Sequence, residues 1–266
     1  MRNFILILFL LTSCSTIDVE ERQSNFINLN KGQFSENVYK LPSFNIFSVK
    51  KVVNTNKLIV YIEGDGLAWL DRFTPSTDPT PTNPVGFKLA LEDKSDNVIY
   101  LARPCQYISN TSCNKAVWTG LQYSQAILEA YKSILSELAN TYEEIHLVGY
   151  SGGAAISIYL ASNEDLKIKS VRTIAGNINP DEITQLLKLS GYKKMVNFYT
   201  LENKIKNISQ THYYGNKDKV IPLDLHLNYV ERNLNNKCVK IKSVSASHNK
   251  GWEDFWKKNY QSKLNC

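Results

Sequence analysis

The chain has 266 residues and a formal net charge of +6, and 43% of its residues are hydrophobic. This length fits one large α/β domain or two small ones with a substantial core, and no internal repeat indicates a solenoid. The lysines are spread in short runs typical of solvated faces, so the charge does not indicate a nucleic-acid-binding protein.

The N-terminus has the pattern of an export signal. A basic start at 1–3 is followed by eight apolar residues, Phe4 to Leu11, which are too few to span a bilayer as a mature helix. The run ends in Leu-Thr-Ser-Cys at positions 11–14, which resembles the bacterial lipobox. The resemblance implies a signal peptide over 1–13 and lipidation of Cys14. The alternative is an ordinary signal peptide with a cysteine near its end.

Lipidation would give the chain a stable membrane anchor, because two or three acyl chains hold a protein more firmly than one. Ser15 follows Cys14, which resembles the outer-membrane sorting pattern. We therefore expect a lipid-anchored protein of the cell envelope, facing the periplasm from the outer membrane if the host has two membranes. The polar segment 14–41 is predicted to be a tether, and the folded domain to cover 42–266.

Hydrophobic patterning predicts strands that alternate with helices along the domain. Alternation indicates an early antiparallel strand over 43–50, and continuous apolar runs indicate buried strands over 57–62, 97–102 and 146–149. The remaining expected elements are strands at 171–176, 211–215 and 238–244 and helices at 118–138, 180–187, 223–234 and 253–261. This order predicts a mainly parallel, doubly wound α/β sheet flanked by helices in a single domain.

The most informative motif is Gly149-Tyr150-Ser151-Gly152-Gly153, which lies between a predicted strand and a helix of small residues. It is a G-x-S-x-G sequence with the flanks of a nucleophile elbow. In such an elbow a sharp turn exposes the serine above the sheet edge and leaves room only for small neighbours. Ser151 is therefore the predicted nucleophile, and the backbone N–H of Gly152 would point to the position of an oxyanion.

A nucleophilic serine needs an imidazole base, and the sequence contains four histidines. His146 and His212 lie in predicted strands and His226 lies in a predicted helix, where core or surface roles are expected. His248 follows the last predicted strand, in a loop that can overhang the carboxyl edge of the sheet near Ser151. We therefore predict His248 as the general base.

The carboxylate that orients this imidazole should follow a strand that lies between the nucleophile and the base in sequence. Asp218 comes just after the predicted strand 211–215, in a turn before a proline. Asp181 and Glu182, after the preceding strand, are alternatives, and Asp224 is a third. A simple turn or capping role is another interpretation of Asp218.

With nucleophile, acid and base in the order Ser151, Asp218, His248, nearly all of the predicted mature chain resembles the α/β-hydrolase superfamily. The resemblance rests on G-Y-S-G-G, on G-x-x-D-x-x-x-P after the penultimate strand and on a histidine after the last strand. It implies the α/β-hydrolase fold and a serine hydrolase that needs no metal or organic cofactor. The segments 63–69, 78–81 and 101–107 also resemble a group of exported bacterial α/β-hydrolases.

The turn Glu63-Gly64-Asp65-Gly66 directly follows a buried strand, where backbone N–H groups can be left pointing at a ligand. It takes the place of the family's His-Gly-Gly oxyanion turn, with Glu63 where a histidine often stands. By this resemblance, the backbone N–H of Asp65 would join that of Gly152 as an oxyanion donor.

Substrate contacts are predicted from four residues next to these turns: Gly64, Gly66, Trp69 and Tyr150. The segments 71–86 and 103–118 are expected to border the pocket. Trp69, Tyr107 and Trp118 suggest an aromatic-lined site for an acyl ester of small or medium size. The alternative is that these aromatic side chains belong to the core. The segment 71–86 is rich in Pro and Thr and does not resemble the apolar lid of a lipase. Long-chain lipids are therefore less favoured as substrates than shorter acyl esters.

Four cysteines remain besides Cys14. An even number in an exported chain indicates disulfides, and of the three possible connectivities we favour Cys105 with Cys113 and Cys238 with Cys266. No C-x-x-C sequence or neighbouring histidine supports a metal site.

The favoured function is that of a membrane-anchored, exported serine hydrolase that cleaves an ester, thioester or amide through an acyl-enzyme. A peptidase or an acyltransferase would use the same residues. A catalytically idle lipoprotein that acts in binding or as a scaffold is the alternative from another class. No nucleic-acid partner is expected, and the sequence makes no prediction about the oligomeric state.

Overall fold

A computed structural model describes residues 18–193, 195–262 and 266 of the chain. The strands in this part are Ser35–Lys40 (β1), Asn45–Lys51 (β2), Lys57–Ile62 (β3), Val98–Leu101 (β4), Glu144–Tyr150 (β5), Ile168–Ile174 (β6), Ser209–Gly215 (β7) and Val239–Val244 (β8). The α-helices are Val19–Asn30 (α1), Val85–Glu92 (α2), Lys115–Thr119 (α3), Gln125–Thr141 (α4), Gly153–Ala161 (α5), Pro180–Leu186 (α6), Phe198–Lys204 (α7), Leu223–Arg232 (α8) and Trp252–Asn259 (α9).

The eight strands form one sheet in the order β1-β2-β4-β3-β5-β6-β7-β8. Strands β3 to β8 pair in parallel, while β2 pairs antiparallel with β4 and β1 pairs antiparallel with β2. The predicted mainly parallel sheet is thus confirmed, and the early strand expected over 43–50 is the antiparallel β2; the second antiparallel strand, β1, was not expected. Because the carboxyl ends of the parallel strands share one edge, the loops after β3, β5, β7 and β8 all lie at that edge.

Helices cover both faces of the sheet, and each face has its own apolar core. On one face α5 packs on the central strands and α4 packs against α5, and on the other face α2 packs on β3 and β4 and α9 packs against α2. The sequence predicts a single helix over 118–138, but the chain forms α3 and α4, with Gly120 ending the first and Ser124 preceding the second. Glycine loses more backbone entropy in a helix than other residues, which favours a break at Gly120.

The prediction of a tether is wrong for residues 18–41. This segment forms α1 and β1, and the side chain of Phe26 is 2% exposed and stacks on Phe87 with ring centroids 4.1 Å apart. The buried positions of α1 are Arg22, Phe26 and Asn30, four residues apart on one helical face. Two of these three side chains are polar, so hydrophobic patterning cannot detect the face. The folded domain therefore extends toward the N-terminus at least as far as residue 18.

The predicted signal peptide, Cys14 and the rest of 1–17 lie outside the described residues. Among the helices that the structure describes, none combines the length and the apolar character needed to cross a membrane. Two disulfides join Cys105 to Cys113 and Cys238 to Cys266, which is the connectivity favoured from the sequence.

Candidate active site

Ser151 lies at a sharp turn between β5 and α5, at the carboxyl edge of the sheet. Its backbone φ of 48° lies in the left-handed region, which residues other than glycine rarely adopt. The turn requires close backbone packing: a Cβ at Gly149 would lie 2.6 Å from the Cα of Ala154, and a Cβ at Gly153 would collide with the carbonyl oxygen of Ile62. The motif glycines are therefore required sterically, and they hold Ser151 in the geometry of a nucleophile elbow.

His248 lies in the loop between β8 and α9 and contacts Ser151. Its Nε2 is 3.1 Å from Ser151 Oγ, and its Nδ1 is 2.9 Å from Asp218 Oδ2. The three side chains come from loops after three different strands and form one hydrogen-bonded chain. Hydroxyl, imidazole and carboxylate in this order are the arrangement that allows a serine to be deprotonated during attack.

Asp218 lies in the turn after β7, and its carboxylate is fixed by backbone as well as by His248. Its Oδ1 accepts hydrogen bonds from the N–H groups of Val220 at 2.7 Å and Ile221 at 3.1 Å. Burial by itself would raise the pKa of Asp218, but the hydrogen bonds from His248 and these N–H groups outweigh burial and lower that pKa. The carboxylate is therefore ionised at neutral pH and faces Nδ1 of His248.

The alternative carboxylates lie elsewhere and have other partners. Asp181 Oδ2 accepts the N–H of Phe198 at 3.0 Å, and Glu182 Oε2 forms an ion pair with Arg232 at 2.8 Å. Asp224 is in the first turn of α8. The structure brings Asp218, and not these three, to His248.

Two aromatic side chains, Tyr150 and Trp252, hold the loop that carries His248. The sequence did not predict this role for either of them. The hydroxyl of Tyr150 donates to Asn249 Oδ1 at 2.6 Å and lies 3.1 Å from the carbonyl oxygen of His248. Trp252 Nε1 donates to the carbonyl oxygens of Ser247 and His248 at 2.7 and 3.0 Å. Tyr150 precedes Ser151 in the motif, so the residue next to the serine in sequence holds the loop of His248.

Glu63 organises the turn after β3. Its Oε1 accepts the N–H groups of Gly64 at 3.0 Å and Gly86 at 3.1 Å, and its Oε2 accepts the N–H of Phe87 at 3.2 Å and the Tyr100 hydroxyl at 3.1 Å. Gly86 and Phe87 belong to the first turn of α2, whose N–H groups have no partner within the helix. Burial raises the pKa of Glu63, and the hydrogen bonds oppose this effect. Glu63 thus joins the start of α2 to the turn.

The backbone N–H groups of Asp65 and Gly152 donate no hydrogen bond to any residue that the structure describes. The side chain of Asp65 is engaged: its Oδ1 lies 2.6 Å from Arg103 Nη1 and its Oδ2 accepts the Tyr123 hydroxyl at 3.3 Å. Arg103 is buried and also donates to the carbonyl oxygen of Gln122 at 2.6 Å. The turn after β3 is therefore held from two sides, by Glu63 and by Arg103.

A cavity of about 460 Å³ opens at Ser151 and His248. Of the four predicted substrate contacts, Gly66, Trp69 and Tyr150 line it, whereas Gly64 is buried behind Ser151, where a Cβ would lie 3.0 Å from the Ser151 Cβ. The segment 71–86 contributes to the wall through residues 81–83, as expected.

The expectation that segment 103–118 borders this cavity is wrong. Tyr107 packs on Phe26 and Phe47, with ring centroids 4.7 and 5.1 Å apart, and Trp118 is 7% exposed in the core. The wall comes instead from the end of α6 and the chain after it: Ile183, Leu187, Leu189 and Tyr192. Apolar residues in this segment follow no regular spacing beyond the end of the helix, so the sequence gave no signal that they line a cavity.

The sequence and the structure were compared with known proteins. No family model matches the sequence, and no curated protein matches it. Solved structures do match, at low sequence identity. An esterase of Pyrococcus furiosus is 15% identical with a TM-score of 0.59, and the match covers 88% of this chain and 90% of that chain.

Two further matches are described as serine hydrolases. An alpha-beta serine hydrolase homologue from Coxiella burnetii is 16% identical, with a TM-score of 0.56 and coverage of 85% of this chain and 96% of that one. An α/β serine hydrolase without lid from Xanthomonas campestris is 14% identical, with a TM-score of 0.51 and coverage of 87% and 97%. Together with the sheet order and the elbow at Ser151, these matches show that the chain has the α/β-hydrolase fold.

Proposed function

We propose that the protein is a serine hydrolase that cleaves an ester, or a thioester or amide, through an acyl-enzyme on Ser151. The observation that carries the proposal is the hydrogen-bonded chain from Ser151 through His248 to Asp218, at the mouth of a cavity. The structural similarity to an esterase from Pyrococcus furiosus supports the same reaction class.

In the proposed reaction Ser151 Oγ attacks the substrate carbonyl carbon while His248 Nε2 accepts the hydroxyl proton. Asp218 stabilises the imidazolium through Nδ1. The imidazolium then gives its proton to the leaving group, and the acyl group stays on Ser151. Water, deprotonated by His248, attacks the acyl-enzyme and releases the acid, which regenerates the serine.

The proposed oxyanion donors are the backbone N–H groups of Gly152 and Asp65. The support for this assignment is that both residues line the same cavity as Ser151 and that their N–H groups have no hydrogen-bond partner among the described residues. Backbone donors fixed before the reaction stabilise the developing negative charge without reorganisation.

The proposed substrate is an ester with an acyl group of small or medium size. Apolar side chains from two segments face the cavity, including Trp69, Leu187 and Leu189, and these three are 42%, 39% and 47% exposed. Such side chains favour an acyl chain near Ser151. A cavity of about 460 Å³ limits the size of the group that it can enclose.

Labelling with a fluorophosphonate probe tests the proposal. The wild-type protein should be labelled at Ser151, and Ser151→Ala should not be labelled. Ser162→Ala, which changes a serine just after the same helix, should be labelled like the wild type. A folded wild-type protein that stays unlabelled would contradict the proposal and favour an idle binding lipoprotein. An ester series of increasing acyl length, offered to the unlabelled wild-type protein, would define the acyl group.

We also propose that the mature protein is held at a membrane of the cell envelope by lipid on Cys14. The lipobox-like sequence supports this proposal. Cys14→Ser should move the protein from the membrane fraction to the soluble fraction of an expressing bacterium. Retention of this variant in the membrane fraction would contradict a lipid anchor at this residue.

A further inference from the structure

A second cavity, of about 330 Å³, lies at the opposite end of the sheet from Ser151. It is formed by the amino-terminal halves of β3 and β5, by β6, by the loop after α2 and by residues 260–262 after α9. In the sheet, Ile59 is the register partner of His146, and His146 is the partner of Ser170. Side chains two residues apart share a face of a strand, so Lys57, Ile59, His146 and Arg172 lie on the same face.

Arg172 is the unusual member of this cavity. Its side chain is 2% exposed, and its guanidinium lies 4.9 Å from the ring of Trp256 and donates through Nη1 to the carbonyl oxygen of Tyr260. No carboxylate in the described part of the chain lies within 4 Å of it, and its Nε has no hydrogen-bond partner there. A buried guanidinium without a counter-ion is costly, because burial removes its hydration.

The other charged groups around the cavity leave it positive. Lys57 lies at its rim, and burial lowers the pKa of His146, so this imidazole is neutral at neutral pH although Glu144 lies 3.5 Å from it. Asp93 lies outside the cavity lining and accepts the Tyr61 hydroxyl at 2.6 Å. In the described part of the chain, the lining thus contains two cations, Lys57 and Arg172, and no carboxylate.

We propose that this cavity binds a small molecule with a phosphate group, whose oxygens contact Arg172 and Lys57 and whose charge replaces the missing counter-ion. A guanidinium and an ammonium in the wall of an open cavity match the charge of a phosphate, and Ser95 in the same wall adds a hydroxyl donor. The ligand is either free inorganic phosphate or a phosphate monoester with a small substituent. This site does not depend on the proposed hydrolase activity, since it shares no residue with the cavity at Ser151.

Isothermal titration calorimetry of the folded protein with inorganic phosphate and with glycerol phosphate tests the site, with sodium chloride of the same ionic strength as the reference. Saturable binding of either phosphate is expected, and the tighter of the two identifies the source of the phosphate group. Lys57→Gln removes one exposed cation and should weaken binding about threefold to fivefold. Ser151→Ala should bind as the wild type does, which separates this result from the test of catalysis.

Lys237→Gln is the matched control, because it removes an exposed lysine that does not line the cavity. It should leave the affinity unchanged. Arg172→Gln should abolish binding, and circular dichroism shows whether this variant is folded. If Arg172→Gln does not fold, the comparison of Lys57→Gln with Lys237→Gln decides the question. Equal binding by those two variants, or no saturable binding of either phosphate, would overturn the proposal.

Discussion

The guanidinium of Arg103 lies 2.6 Å from the carboxylate of Asp65, at the edge of the cavity that contains Ser151. The same carboxylate oxygen is so close to Gly152 that a Cβ there would collide with it. A carboxylate in this place would repel the negative charge that develops on a substrate oxygen near the Gly152 N–H. Arg103 neutralises that carboxylate, and in doing so it also holds the turn after β3.

Arg103→Met should therefore lower kcat for an ester substrate. The expected loss is about tenfold to a hundredfold, below or comparable to the loss of one oxyanion donor. Steady-state kinetics with a p-nitrophenyl ester measures it. The double variant Asp65→Asn/Arg103→Met removes both charges and should recover part of the lost kcat. A double variant that is no better than Arg103→Met would show that Arg103 acts through packing and not through charge.

Asp218→Asn should lower kcat by about three to four orders of magnitude, because the amide cannot hold the proposed base in the tautomer that accepts a proton from Ser151. The side chain keeps an oxygen for the N–H groups of Val220 and Ile221, so the turn should remain folded. Asp224→Asn is the matched control in the following helix and should retain wild-type kcat. A loss of only a fewfold in Asp218→Asn would assign the carboxylate role to another residue.

Glu63→Gln should destabilise the fold by about 1–3 kcal/mol, because an amide NH₂ replaces one of the two oxygens and leaves buried N–H donors without an acceptor. Urea unfolding followed by tryptophan fluorescence measures the free energy of unfolding. Because Glu63 also holds Gly64, the variant should have a lower kcat at pH 7 even where it is fully folded. Glu92→Gln, at the end of α2, is the control and should change neither quantity.

Buried His226 should make the protein less stable as the pH falls from 6.5 to 4. Burial lowers the pKa of His226 from 6.5 to about 4 in the folded state. As the pH falls, the unfolded chain therefore takes up the proton before the folded protein does, and the contribution of His226 to the free energy of unfolding is fully present only above pH 6.5. The shift corresponds to about 3 kcal/mol at the acid end of this window. His226→Phe should reduce the dependence of the free energy of unfolding on pH between 4 and 6.5.

Urea titrations at several pH values check this prediction. His212, whose pKa burial lowers to about 3, acts in the same direction and will leave part of the dependence in the variant. Wild-type and His226→Phe curves with the same pH dependence would contradict the prediction. A difference between the two proteins in the free energy of unfolding that appeared only above pH 7 would also contradict it.

Short-range physical requirements explain why much of the candidate site could be predicted. The turn at Ser151 needs small residues at fixed positions, and a buried strand and a helix must flank it, so the motif contains its own structural context. Asp218 and His248 could be chosen because each follows a strand of a parallel sheet, and such strands present their carboxyl ends at one edge. The structure places His248 against Ser151 and Asp218 against His248.

Other parts of the molecule gave no such signal. The burial of α1 involves Arg22 and Asn30 as well as Phe26, and a mixed face has no hydrophobic period. The cavity wall formed by 183–192 comes from the end of the short helix α6 and the irregular chain after it, where neither the helical nor the strand period of apolar residues can be recognised.

The sequence by itself determined the alternation of strands and helices after residue 42, the mainly parallel sheet and the elbow at Ser151, because these depend on patterns within short segments and on the fixed direction of parallel strands. The α/β-hydrolase architecture was expected from a resemblance, and the cysteine pairs were one favoured choice among three. Only the tertiary structure decided which carboxylate meets which cation and which chain segment encloses the cavity. Contacts such as Arg103 with Asp65 and Glu63 with the start of α2 join segments more than 20 residues apart. They depend on how helices and loops settle on the sheet, and no local pattern encodes that placement.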